Sequence, residues 1–161
     1  MQIRTVTVIG ANGTMGSNVS AIFASFGNAK VYMVSRDMEK SKKAVVKAAK
    51  SVRAGSIAKN LIPADDSMLA ECVAASDLIF ESAKEDLEIK KTITRLVAEN
   101  MSTHAIACSG TSGLSITTLA ECFSEEKRGR YFGVHMVVYG VDTAFLTAHP
   151  TLFDYTQEEL Y

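Results

Sequence analysis

The sequence TVTVIGANGTMG, residues 5–16, joins an apolar run to a loop that contains three glycines. The apolar run ends at Ile9 and has no helical period, so it predicts a short buried strand. From Met15 onward, apolar residues recur at steps of three and four, which predicts one face of a helix. Strand, glycine loop and helix in this order are typical of a mononucleotide-binding unit, in which bare backbone N–H groups face a pyrophosphate.

The spacing of the glycines is G-x-x-G-x-x-G, one residue more than the G-x-G-x-x-G dinucleotide fingerprint. An ordinary turn would explain a glycine motif by itself, but the flanking strand and helix favour phosphate binding. We therefore expect the loop to bind a dinucleotide cofactor through six residues, namely Gly10, Asn12, Gly13, Thr14, Met15 and Gly16.

Length and composition limit the class of protein. The chain has 161 residues, of which 47% are hydrophobic and 22% are charged, so it corresponds to about one globular domain. A net charge of -1 gives no basic field for nucleic acid, and no membrane segment is predicted. Three separate cysteines without metal spacing, and the lack of a signal-peptide pattern, lead us to expect a cytoplasmic protein without a metal site.

Strands and helices alternate along the rest of the chain. The apolar patterns predict strands at 30–35, 60–62, 77–81, 104–108 and 131–138, and helices at 15–26, 38–50, about 65–75, 85–99 and 115–123. Gly27 is expected as a left-handed helix end. This alternation predicts an α/β fold of the Rossmann type, with a doubly wound, mostly parallel sheet and helices on both faces. Residues 139–161 show no helical or strand period.

Ligands of open parallel sheets bind beyond the carboxyl ends of the strands, so residues that follow the predicted strands are the site candidates. Besides the glycine loop, these are residues 35–37, 81–85 and 109–112, and His135. Each has an ordinary structural explanation, such as a helix start for Glu85, a turn for Ser112 and a core histidine for His135. Because all of them would lie at one edge of one sheet, together they favour a site.

Three segments of the chain resemble the 3-hydroxyacyl-CoA dehydrogenases. They are VIGANGTMGSNVSAIFASFG, FESAKEDLEIKK, and ACSGTSGLSIT followed by RYFGVHM. The resemblance implies an acyl-CoA substrate, oxidised from the 3-hydroxyacyl to the 3-ketoacyl form with hydride passed to NAD. It also implies that Glu85 and Lys90 lie by the nicotinamide, that Ser112 binds substrate and cofactor, and that His135 is the catalytic base. Histidine suits this role because its unperturbed pKa of about 6.5 lets it take and return a proton near neutral pH.

The chain also departs from the family's pattern. Gly110 stands where the family has the asparagine of S-N-T-S, and Val138 stands where it has the asparagine three residues after the histidine. The glutamate that orients the histidine is missing, and Asp142 is the nearest carboxylate in the sequence. The resemblance fades after Met136.

We therefore expect a dinucleotide-binding domain over residues 1–138 and a divergent tail over 139–161. The family's helical C-terminal domain, which closes the substrate cleft and forms the dimer, is expected to be absent, and a homodimer is left open. The alternatives to a dehydrogenase domain are a non-catalytic nucleotide-binding module or fragment, and another NADP-dependent Rossmann reductase.

The sequence leaves the cofactor open between NAD and NADP. Where the family's second strand ends in an aspartate that binds the adenosine ribose, this chain has Ser35, followed by Arg36 and Asp37. A serine hydroxyl and an arginine can both bind the extra phosphate of NADP, which favours NADP. The family's use of NAD, and a shift of Asp37 into the ribose position, would favour NAD.

Overall fold

The structure, a computed structural model, describes residues 2–52, 55–139 and 142–148, and the side chains of these residues apart from 55–56 and 135–148. The described strands are β1 (Thr5–Ile9), β2 (Lys30–Ser35), β3 (Leu61–Asp65), β4 (Leu78–Glu81), β5 (Ile106–Ser109), β6 (Tyr131–Tyr139) and β7 (Asp142–Ala148). The described helices are α1 (Thr14–Ser25), α2 (Met38–Ser51), α3 (Leu69–Ala74), α4 (Leu87–Asn100), α5 (Ile116–Ala120) and α6 (Glu125–Arg128), with 3-10 segments at Gly55–Asn60 and Asp66–Met68.

The described strands form one sheet in the order β3-β2-β1-β4-β5-β6-β7. The pairs from β3 to β6 are parallel, and β7 pairs antiparallel with β6. The chain runs outward from β1 to β3 and then crosses to the other side of β1, so the order reverses between β1 and β4. This arrangement confirms the predicted doubly wound Rossmann sheet and places a ligand crevice at that reversal.

Both faces of the sheet are covered, which explains why its central strands are buried and mostly apolar. On one face, Val6 and Val8 pack with Val19 of α1 and Ala44 of α2. On the other face, a second core cluster joins strand residues such as Ile79 to side chains of α3, α4 and α5. The helices therefore fix the strand ends on which the site residues lie.

The structure differs from the sequence predictions at the end of α1, at the start of α4 and after β6. The left-handed residue after α1 is Asn28, with φ of 48°, and not Gly27. Helix α4 begins at Leu87 with Asp86 as its N-cap, so Glu85 lies before the helix and is not a helix-start residue. No strand was predicted after Val138, yet residues 142–148 form β7, because pairing with β6 supplies backbone hydrogen bonds that need no side-chain period.

Strand β3 is an edge of the sheet, with β2 as its neighbour among the described strands. It contains Pro63, opposite Met33 of β2 in the register. Proline has no N–H to give to a ladder and is found in edge strands for that reason. The predicted strand at 60–62 was too short because the proline interrupts the apolar pattern that continues to Ala64.

Candidate cofactor site

The glycine loop turns sharply away from the end of β1 and is tied to the end of β2. The amides of Gly10 and Ala11 both donate to the carbonyl oxygen of Val34, each at 3.0 Å. Gly10 has a φ of 77°, and a Cβ built on it would collide with the backbone of Ser82. A glycine is therefore required here by the fold, whatever the loop binds.

Helix α1 packs directly on this loop. A Cβ on Gly16 would lie 2.5 Å from the carbonyl oxygen of Gly10, so the close approach of helix and loop requires a glycine there too. Gly13 is the N-cap of α1 and makes no side-chain cap, and the first turn carries no acidic residue. The amides of the first turn and the positive end of the helix dipole are thus available to an anion, as the dinucleotide hypothesis requires.

A cavity of about 900 Å³ runs along the carboxyl ends of β1, β2 and β4. Its lining includes five residues predicted from the sequence, Gly10, Asn12, Gly13, Ser35 and Arg36. Apolar side chains of α4, among them Ile93 and Leu96, line it as well. Polar groups at one wall and apolar ones at another suit a ligand that combines phosphates with a flat aromatic ring. Thr14 and Met15 begin α1 beside the loop, and Thr14 is exposed.

The three residues that end β2 have different surroundings. Ser35 is 2% exposed, and its hydroxyl has no hydrogen-bond partner in the structure described. Arg36 is exposed. Asp37 caps α2, because its carboxylate accepts hydrogen bonds from the Lys40 amide at 2.8 Å and from the Lys40 ammonium at 2.5 Å. These hydrogen bonds from Lys40 hold the pKa of Asp37 below its ordinary value. Asp37 is therefore engaged by its own helix, whereas Ser35 and Arg36 are among the residues that line the cavity.

Asp66 also lines this cavity, although it was not among the site residues predicted from the sequence. In the β2–β3 register Ser35 lies opposite Asp65, so Asp66 follows β3 as Arg36 follows β2. Burial raises the pKa of Asp66, and so does the neighbouring Asp65, whereas Arg36 acts to lower it. A carboxylate and a guanidinium thus share the end of the cavity at β2 and β3. A longer predicted third strand would have revealed this placement.

A buried ion pair lies at the carboxyl ends of β4 and β5. The Lys90 ammonium is 2.8 Å and 2.9 Å from the two carboxylate oxygens of Glu81, and these side chains are 1% and 5% exposed. The Glu81 carboxylate also accepts hydrogen bonds from the Ser109 hydroxyl and the Ala83 amide, both at 2.5 Å. The resemblance implies that Lys90 lies by the nicotinamide; in the structure its ammonium is enclosed by protein, and that role stays a prediction.

Glu85 binds the turn formed by residues 111–113, which we call the 111–113 turn. Its Oε1 accepts hydrogen bonds from the Thr111 hydroxyl, from the Ser112 amide at 3.0 Å and from the Gly113 amide at 2.9 Å. Its Oε2 is 3.6 Å from the Lys90 ammonium. Burial raises the pKa of Glu85, but the hydrogen bonds from the turn and the charge of Lys90 outweigh burial and leave the pKa below its ordinary value. Glu85 is therefore an anion that fixes the turn carrying Ser112.

The remaining predicted catalytic residues are Ser112 and His135. Ser112 is exposed, at the carboxyl edge of the sheet. His135 lies in β6, two residues beyond Gly133, which is level with Ser109 in the register, so its backbone is at the same edge. The side chain of His135 lies outside the described residues. The structure thus brings Glu85, Lys90 and Ser112 together, and the placement of the imidazole stays a prediction.

The glycine that replaces the family's asparagine has a local explanation. A Cβ on Gly110 would lie 3.2 Å from the ring of Phe80 and 3.4 Å from the carbonyl oxygen of Glu81. The Gly110 amide donates to that same carbonyl at 2.8 Å. In this chain a larger residue at position 110 would therefore be in tight contact with the Phe80 ring, which would have to shift by a few tenths of an ångström.

Within the described ranges, no group of three or more histidine, cysteine, aspartate or glutamate residues is placed to hold a metal ion. Over the same ranges, no helix has the length and apolar character needed to cross a membrane.

A Rossmann sheet, a glycine loop at its strand-order reversal and a cavity beside that loop define a dinucleotide-binding domain. Comparison with known sequences gives the family. Residues 5–138 match the model of the 3-hydroxyacyl-CoA dehydrogenase, NAD binding domain, and the chain belongs to this family. The resemblance found in the sequence is thereby confirmed, and the family implies a nicotinamide cofactor.

Individual relatives share this fold. A probable 3-hydroxyacyl-CoA dehydrogenase of Bacillus subtilis is 31% identical over 157 residues, which cover 83% of this chain and 20% of that protein. The human mitochondrial hydroxyacyl-coenzyme A dehydrogenase is 27% identical over 147 residues, covering 83% of this chain and 46% of the human protein. The crystal structure of a 3-hydroxybutyryl-CoA dehydrogenase from Escherichia coli K12 superposes with a TM-score of 0.71 at 30% identity, covering 84% of this chain and 30% of that one. The chain thus spans less than half the length of these relatives.

Proposed function

We propose that this chain is the cofactor-binding part of a dehydrogenase that transfers hydride between a 3-hydroxyacyl-CoA and NAD(P). The observation that carries the proposal is the combination of an open helix N-terminus at Gly13 with a second polar cluster at Glu85 and Ser112 along the same sheet edge. One cluster suits a pyrophosphate, and the other suits the reacting end of a dinucleotide. The relatives named above act on acyl-CoA substrates by their names, which supports the same substrate class here.

Different residues of the chain would bind the cofactor, bind the substrate and transfer the proton. The glycine loop would bind the pyrophosphate through backbone amides, and the apolar wall of α4 would bind the adenine. Ser112, on the turn held by Glu85, would donate a hydrogen bond to the substrate. His135 would accept the proton of the 3-hydroxyl group and return it in the reverse direction. When bound, the nicotinamide supplies the hydride acceptor.

We further propose that this site accepts NADP. Asp37, the acid that could replace the family's ribose ligand, is occupied as the cap of α2. Ser35 and Arg36 line the cavity instead, and the buried Ser35 hydroxyl has no hydrogen-bond partner among the described residues. A charge-assisted hydrogen bond from Arg36 to the 2′-phosphate is worth about 1.5 to 3 kcal/mol.

Paired titrations with NADP and NAD test the cofactor proposal. We expect NADP to bind better to the native chain, and Arg36→Ala to weaken NADP binding about tenfold or more while leaving NAD unchanged. Arg95→Ala is the matched control, since Arg95 is exposed on α4 and is not in the lining of the cavity. If NAD binds better and Arg36→Ala changes neither affinity, the ribose ligand is Asp37 and the cofactor is the family's NAD.

A non-catalytic nucleotide-binding module is the second candidate, and Val138 and the missing orienting glutamate favour it. Without a carboxylate partner, a catalytic histidine loses the electrostatic support of its charged form, at a cost comparable to the roughly 10⁴-fold measured when a triad aspartate is neutralised. This candidate keeps the cofactor site and lacks turnover.

Reduction of acetoacetyl-CoA separates the two candidates. The assay is run on the native chain and on a version extended with the helical domain of a relative, with cofactor binding measured alongside. Binding together with turnover by the extended chain supports the dehydrogenase. Binding without turnover in either version supports the non-catalytic module, and absence of binding to both cofactors overturns the proposal.

Two further expectations belong with this proposal. We propose a homodimer as the assembly, to be measured by sedimentation. We also propose a cytoplasmic location, on the basis that Cys72, Cys108 and Cys122 are free thiols.

A further inference from the structure

The Lys90 ammonium is the most enclosed charge in the part of the chain that the structure describes, and it lies within ion-pair distance of two carboxylates. Its shortest contacts are to both oxygens of Glu81. Its remaining near contacts are the Ala83 carbonyl oxygen at 3.4 Å and the Glu85 Oε2 at 3.6 Å. An ammonium has three donors and no acceptor, so this arrangement occupies its bonding capacity within the protein.

The Glu81 side of this arrangement is fixed. One Glu81 oxygen accepts from Lys90 and the Ala83 amide, and the other accepts from Lys90 and the Ser109 hydroxyl. Burial of an ion pair is costly unless its hydrogen bonds are complete, and here the Glu81 carboxylate has them. The Lys90 ammonium is therefore held at one position relative to the ends of β4 and β5.

The Glu85 side is much more open, because this side chain is 45% exposed. An exposed glutamate has many rotamers, and holding it in one of them costs side-chain entropy. Glu85 nevertheless uses one oxygen for the 111–113 turn while the other faces Lys90. The fixed cation favours the orientation of the carboxylate in which Oε1 points to the turn.

We infer that Lys90 is a positioning residue, which, anchored by Glu81, holds the Glu85 carboxylate where it fixes the 111–113 turn. The importance of that turn for substrate rests on the proposed function, through Ser112. The positioning itself is a property of the chain without cofactor.

The test replaces Lys90 by methionine, which keeps most of the side-chain volume and removes the charge. The pKa of Glu85 and the hydrogen exchange of the Ser112 and Gly113 amides are measured by NMR on the whole chain without cofactor. We expect the pKa of Glu85 to rise by about half a unit or more. We also expect the two amides to exchange about fivefold faster or more, because the turn opens locally more often.

Lys91→Met is the matched control. It removes the same charge from the same helix, but Lys91 is 25% exposed and pairs with Glu88 at 3.7 Å. It should leave the pKa of Glu85 and both amides nearly unchanged. A Lys90→Met variant that is folded and behaves like the control overturns the inference.

Lys90→Met leaves the Glu81 carboxylate buried without its partner, which is strongly destabilising. The double variant Glu81→Gln/Lys90→Met removes that unpaired charge and keeps a hydrogen-bonding side chain at position 81. In this double variant we expect the same rise in the pKa of Glu85 and the same faster exchange of the Ser112 and Gly113 amides. If neither variant folds, the pair is needed for the fold itself and the positioning role is rejected. None of these measurements involves cofactor binding. The inference about Lys90 can therefore be tested even if the proposed function is wrong.

Discussion

Replacing Gly13 by valine separates the binding role of the glycine loop from its role in the fold. Gly13 has φ of -71° and ψ of 165°, which a β-branched residue can adopt. Its Cβ would lie 3.3 Å from the Gly10 carbonyl oxygen, a tight contact that a small shift relieves. Loss of a glycine N-cap lowers the free energy of unfolding by about 1 kcal/mol. The reduced conformational freedom of the unfolded chain raises it by about 0.4 to 1 kcal/mol. The net change in unfolding free energy is thus about 1 kcal/mol or less, or roughly 2 to 4 °C in Tm for a chain of this size.

The effect on binding is much larger. The valine methyl groups would stand where a phosphate approaches the first amides of α1, and a hydrogen bond to a charged group is worth about 1.5 to 3 kcal/mol. Since about 1.4 kcal/mol is a factor of ten in affinity, loss of one such bond weakens binding roughly 10- to 100-fold, and loss of two abolishes it in practice.

Calorimetric titration with NAD and NADP, paired with thermal unfolding, measures both quantities. Gly129→Val is the control, because a Cβ on Gly129 meets nothing within 4 Å. Gly16→Ala gives the opposite pattern, a large loss of stability, since its Cβ would lie 2.5 Å from the Gly10 carbonyl oxygen. A folded Gly13→Val variant that binds the cofactor within twofold of the native affinity would refute the assignment of the loop to phosphate binding.

Three further predictions follow from the site and the sheet. His135→Ala should reduce any turnover of the extended chain by about 10²-fold or more with little change in cofactor affinity, as expected for a general base; equal steady-state rates would return His135 to a structural role. Asp66→Asn should raise the ratio of NADP to NAD affinity, because it removes a negative charge from the end of the cavity that holds Arg36. Glu71→Gln, on the exposed face of α3, should leave the ratio unchanged, and a shift of equal size in both variants would point to long-range charge instead. The Asp77 carboxylate accepts hydrogen bonds from the Arg4 and Thr5 amides at 2.8 Å and 2.9 Å, which hold its pKa below the ordinary value of 3.8. Its stabilising contribution is therefore present above that value and lost as the pH falls through the lowered folded pKa, so denaturant unfolding should show a smaller loss of stability on acidification in Asp77→Asn than in the native chain.

The glycine loop and the order of the elements could be predicted because their signals are local. The apolar run before Gly10 and the helical period after Met15 can each be recognised within a single short segment of the sequence. The rule that ligands bind at the carboxyl ends of parallel strands then brought residues 35–37, 81–85 and 109–112 to one edge without any coordinates.

Features that depend on contacts between distant elements could not be predicted. Glu81 and Lys90 are nine residues apart and belong to a strand and a helix, so no spacing rule links them. Asp66 lines the cavity because β3 lies beside β2, and the sequence pattern did not predict that pairing. Phe26 fitted the apolar stripe of α1, yet it is 85% exposed, because the helix ends there and the stripe extends beyond the core.

The outer edge of β3 also affects the association of molecules of this protein with one another. A free strand edge can serve as a template on which a strand of a second molecule adds, and this is a common start of aggregation. Strand β3 has five residues with Pro63 at its centre, and Asp65 at its end places a carboxylate at the rim. A strand of a second molecule could not accept a backbone hydrogen bond from Pro63 and would meet the charge of Asp65 at the end of β3. Both features interrupt the addition of a strand at this edge. The residue that shortened the predicted strand thus also protects the sheet from intermolecular pairing at this edge.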